Sequence, residues 1–132
     1  MAVTVTNSTI AAFNTATAIT SNLATADDDA LAEVFTITPT KRDGKCLLII
    51  DCDNLVAAAA ADANITYSVA AGDLWAGTAV TGTVTKSTKK AVQLETAHVI
   101  QDDGTILLTL TPGANDKLKS NHAAAVEFFE LL

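Results

Sequence analysis

His98–Thr111 reads HVIQDDGTILLTLT, and this stretch decides the fold. Ile106, Leu108 and Leu110 share one face, while Thr105, Leu107, Thr109 and Thr111 share the other. Side chains alternate across a strand, so this is the pattern of a strand with one buried side. Asp102-Asp103-Gly104 ahead of it is a tight turn, with the glycine supplying the positive φ that short hairpin loops need. The spacing therefore predicts a hairpin, with HVIQ as its first strand.

Working outward, the same period recurs. Leu31–Thr40 sets Phe35 and Ile37 against Thr36 and Thr38, with Pro39 ending the strand or marking an edge. Lys45–Asp53 is apolar on both faces, as suits a strand in the middle of a fold. Ile65–Ala70 aligns Ile65, Tyr67 and Val69. Thr78–Lys86 and Ala91–Thr96 form a further pair, with Val92 and Leu94 inward. Ala123–Leu131 closes the chain with Val126 and Phe128 on one side. About eight strands at this spacing predict an all-β, antiparallel β-sandwich, Ig-like or jelly-roll-like. Residues 54–63 and Asn115–Asn121 are the two places where a helical turn is expected.

The first 29 residues differ. After a short strand at Val3–Thr6 they are poor in charge and rich in Asn, Thr, Ser and Ala, ending in Asp27-Asp28-Asp29. β-Branched threonines and local Asn and Ser hydrogen bonding argue against a stable helix. The expected organisation is an extended N-terminal arm over 1–29 and a β-sandwich domain over 30–132.

At 132 residues one ordinary core is expected. Much of the 49% hydrophobic content is alanine, so the large core residues must be mainly Val, Ile and Leu. The net charge of −7 disfavours the nucleic-acid backbone, which needs a clustered cationic footprint. The basic runs Lys86–Lys90 and Lys41–Lys45 fall between strands and are read as solvated turns. No run approaches the roughly 20 apolar residues of a membrane helix, and no signal peptide is visible, so folding in a cytoplasm is expected. Cys46 and Cys52 on one strand would lie roughly 20 Å apart, at about 3.3 Å per residue, too far for a disulfide. Two reduced, buried thiols are expected.

No chemical signature stands out. His98 and His122 are the only histidines, and neither sits in a nucleophile frame. Asp51, Asp53 and Asp73 are the carboxylates a glycosidase reading would use, but such positions occur on any acidic domain. The loops at Asp27–Asp29, Asp51–Asn54 and Asp102–Asp103 are rich in oxygen, yet none is an EF-hand. No catalytic residue, metal or cofactor is therefore expected. Trp75, in the glycine-bracketed loop GDLWAG, is either a plug for its own sandwich, the preferred reading, or an interface anchor.

ITYSVAAGDLWAG, the basic turn followed by AVQLET, and DGTILLTLTPGANDKLKSNHAAAVEFFEL resemble segments of small accessory head proteins of tailed bacteriophages. These are decoration or cementing proteins that sit on a capsid. The resemblance covers about half the chain, from Ile65 onward, and carries no residue-level site. It implies a non-enzymatic virion protein on the capsid surface, assembled in the host cytoplasm. Its partner would be the major capsid protein, with the chain acting as a monomer or trimer on the lattice. Contact is expected through Phe13, Asp27, Asp28, Asp29 and Trp75, with no nucleic acid or membrane involved. The competing expectations are a tail-tube or other virion β-protein, and a carbohydrate-binding or adhesion module.

Overall fold

The computed structural model describes residues 2–9, 17–19, 30–51, 64–85, 88–112 and 126–131. Its strands are β1 (Ala2–Thr9), β2 (Thr17–Ile19), β3 (Ala30–Thr38), β4 (Lys45–Asp51), β5 (Ile65–Val69), β6 (Val80–Val84), β7 (Lys89–Glu95), β8 (Ile106–Pro112) and β9 (Val126–Leu131). One helical turn, α1 (Thr96–Val99), separates β7 from β8. The strands form two sheets, ordered β1-β3-β8-β5-β6 and β2-β9-β4-β7.

The pairing is nested. β2 pairs with β9, β3 with β8, β4 with β7 and β5 with β6, all antiparallel. This long ribbon is rolled up, because β9 also pairs with β4 and β8 also pairs with β5. Of the two sandwich types expected, this is the jelly-roll order, which divides one folded ribbon between two facing sheets.

Alternation fills the space between the sheets. Phe35, Ile37, Ile65, Tyr67, Val69, Val84, Ile106, Leu108 and Leu110 come from one sheet. Cys46, Leu48, Ile50, Val92, Leu94, Val126 and Phe128 come from the other, and all belong to one buried cluster. The inward residues named from the sequence are all among them. Cys46 is a buried free thiol.

HVIQ is not a strand. Thr96–Val99 is helical, closed by Ile100 N–H to Thr96 O at 2.9 Å, and only Ile100 bridges across to Ile106. The turn itself forms as expected, with Gly104 at φ 83°. Helical winding turns Thr96 and Val99 into the core. It also leaves the His98 carbonyl free of a hairpin ladder, so that it accepts N–H groups from the 72–78 loop.

Lys89 and Lys90 are exposed, as a solvated run would be, but belong to a strand and not to a turn; Lys86 lies outside the described residues. Lys89 lies opposite Asp51, with Nζ 3.7 Å from Oδ2. Lys90 shares the face of Val92 and Leu94 at the strand's end, where its ammonium stands 5.9 Å from the Tyr67 ring centroid. A charge at an inward-facing position on an edge strand discourages further strand addition.

The described parts of residues 1–29 supply one edge strand to each sheet, β1 and β2. β1 runs parallel to β3, the one parallel pair among the described residues. The intervening chain visits the opposite sheet through β2, so β1 and β3 are not joined by the short turn that would force them antiparallel. The expected helical turns at 54–63 and Asn115–Asn121 lie outside the described residues.

Candidate functional site

The feature that most resembles a binding site is the loop between β5 and β6. Trp75 sits there 53% exposed and is the one exposed large hydrophobic residue among the described residues. The preferred sequence reading, a plug for its own sandwich, is overturned. Leu74 beside it takes the inward role and packs against the core.

The loop is braced along its length. Gly77 N–H closes it onto Gly72 O at 2.8 Å. Gly72 and Thr78 donate to the His98 carbonyl at 2.9 and 3.0 Å, and Ala70 donates to Leu107 O at 3.0 Å. The Gln101 amide donates to Ala71 O at 3.0 Å, and Asp73 Oδ1 accepts the N–H of Asp102. Both bracketing glycines are demanded by close backbone approach. A Cβ on Gly77 would run into the His98 carbonyl, and one on Gly72 would stand 2.5 Å from Ile100 O. Ala76, next to Trp75, holds a left-handed φ of 51°. Such a conformation persists in a non-glycine residue only where its surroundings enforce it.

The neighbouring turn is anionic. Asp103 Oδ1 accepts the Thr105 hydroxyl at 2.6 Å and the Thr105 N–H at 3.1 Å. Those bonds, the hydroxyl's foremost and with help from the Arg42 charge, hold the Asp103 carboxyl below its ordinary value of 3.8. Asp73 and Asp102 lie beside it, joined by their own hydrogen bond.

The remaining candidates do not converge. His98 is exposed on α1, and His122 lies outside the described residues. Asp51 is paired with Lys89, and Asp73 braces the turn, so the two acids are spent on different elements. Asp53, Phe13, Asp27, Asp28 and Asp29 lie outside the described residues. Among the described residues no group of three or more His, Cys, Asp or Glu side chains is placed to hold a metal ion. Cys46 Sγ lies 2.8 Å from Thr96 Oγ1, and burial pushes its thiol up to about 11. A thiol that stays protonated at neutral pH is a poor nucleophile.

The sequence singled out Trp75 but missed its brace. The signal was the pair of glycines five residues apart, which closes a loop, together with HVIQ, whose polar ends suit a hairpin poorly. No protein-family model matches the chain, and no curated protein matches it.

Proposed function

We propose that this chain is a non-enzymatic virion protein that decorates a bacteriophage capsid and stabilises it by binding the major capsid protein lattice. The observation that carries the reading is a large aromatic side chain held out to solvent on a hydrogen-bonded loop of a rigid two-sheet body. Such a side chain is costly to expose and useful in a partner's pocket. The segments similar to accessory head proteins support the same reading, since GDLWAG is among them. Many copies on one lattice stabilise the assembled state by mass action.

The test is to add the purified protein to capsids assembled without it. Saturable binding with a fixed number of copies per capsid, and a raised capsid disruption temperature, are expected. Absence of saturable binding rejects the reading. Deleting residues 1–26 is a poor way to probe the arm, because it removes β1 and β2 from the two sheets. Replacing Asp27, Asp28 and Asp29 with asparagine probes the acidic cluster while leaving the sequences of β1, β2 and β3 intact.

A carbohydrate-binding module is the second reading, favoured by the same exposed indole on a loop that also carries the polar Asp73. Glycan-array binding that disappears in Trp75→Ala would support it over capsid decoration.

A further inference from the structure

We propose that the β5–β6 loop is a preformed docking knob whose occupant is an apolar pocket rimmed by lysine or arginine on the shell protein. The inference rests on the decoration reading and names the surface that performs it.

Three observations converge. Trp75 is exposed while its neighbour Leu74 is packed inward, so the indole is displayed by a backbone whose other apolar group is already buried. The loop is fixed before any partner arrives, by backbone bonds to His98 and Ile100 and by the Asp73–Asp102 bond. Preorganisation of this kind removes ordering costs that association would otherwise incur.

The third observation is charge. Residues 70–79 and 100–105 contain Asp73, Asp102 and Asp103 and no lysine or arginine. Arg42 reaches Gly104 and offsets part of the Asp103 charge. Asp73 and Asp102 take part in neither the Lys45–Glu95 nor the Asp51–Lys89 ion pair. On a chain of net charge −7, an apolar anchor flanked by carboxylates selects a cationic rim, which steers encounter and rejects acidic surfaces.

The experiment is co-sedimentation with capsids assembled without the protein, across a concentration series at low and high salt. It compares wild type, Trp75→Ala, Trp75→Phe and the double variant Asp73→Asn/Asp102→Asn. Asparagine keeps the oxygen that accepts the Asp102 N–H while removing the charge, and equal melting temperatures verify that each variant is folded. Trp75→Ala is expected to weaken binding by roughly 30-fold or more, the size of an interface hot spot, with Trp75→Phe in between. The double asparagine variant is expected to bind more weakly at low salt and to lose most of its salt dependence.

Trp75→Ala binding as tightly as wild type would overturn the knob while leaving decoration intact. Tighter binding by the asparagine variant would overturn the cationic rim. Failure of the wild type itself to bind would remove decoration, and the knob with it.

Discussion

Glu130 Oε2, near the end of β9, accepts the backbone N–H of Lys41 at 2.7 Å, just past the end of β3 in the opposite sheet. Its other oxygen accepts the N–H of Thr40, also at 2.7 Å. One buried carboxylate thus straps the two layers together at the point where the chain leaves one sheet for the other. Bonds to a charged group contribute about 1.5–3 kcal/mol each, and because Thr40 and Lys41 are exposed to water the lower end applies to this pair. Glu130→Ala is expected to lower unfolding free energy by about 3 kcal/mol, and Glu130→Gln by roughly half as much. Urea denaturation measures both, and an unchanged midpoint would show that the strap contributes nothing.

The β4–β7 ladder carries an ion pair at each end, with polarity reversed: Lys45 opposite Glu95 at 3.9 Å, and Asp51 opposite Lys89 at 3.7 Å. The first is half exposed on both sides, so Glu95→Ala should change stability by less than about 0.5 kcal/mol. Asp51 is nearly enclosed, and Asp51→Ala should cost about 1 kcal/mol or more. Equal losses in thermal unfolding would contradict the ordering.

Cys46 gives stability a dependence on alkaline pH. The folded thiol releases its proton at about 11, chiefly because burial disfavours the thiolate, while the unfolded thiol does so near 9.0. Below pH 9 both states hold the proton and the contribution is whole. Between pH 9 and about 11 only the unfolded chain gains ionisation, so stability falls; above that the loss is complete. Wild type should therefore lose stability faster than Cys46→Ala across that window. Parallel slopes would contradict the assignment. At pH 8 in native protein, mass-spectrometric peptide mapping should find Cys46 unalkylated.

Gly77→Ala is expected to be among the most damaging single substitutions outside the core, because the added methyl meets the His98 carbonyl. Loss of about 2 kcal/mol or more is expected, together with a less ordered Trp75. Trp75 is the chain's one tryptophan, so its fluorescence is a direct reporter. The free protein should show water-like emission open to acrylamide quenching. A blue-shifted, quencher-resistant emission would place the indole inside.

Most of the sandwich was legible because period-two alternation reports burial directly. Phe35 and Ile37, Val92 and Leu94, and Val126 and Phe128 all point inward as their spacing demands. The choice between sandwich topologies was not legible. Alternation says which face of a strand is buried and is silent on which strand it pairs with, so the two apolar faces of β4 signalled an interior strand but not that β7 and β9 would flank it. HVIQ misled because Val99 and Ile100 are apolar neighbours that a strand would send to opposite faces. One helical turn followed by a bridge buries both. Trp75 was found as a residue and misplaced as a plug, because its brace comes from backbone groups on α1 and Ile100, distant in sequence.

The nested pairing has a kinetic corollary. β5 and β6 close over a short connection, and each enclosing pair then closes a gap already shortened by the pair inside it, so assembly should spread from the middle of the chain outward. Thr17 meets its partner Phe128 last. On the ribosome β2 must wait until β9 has emerged before it can be zipped in. Slow final annealing of β2 onto β9, with a half-closed ribbon vulnerable to aggregation in the meantime, follows from strand order alone.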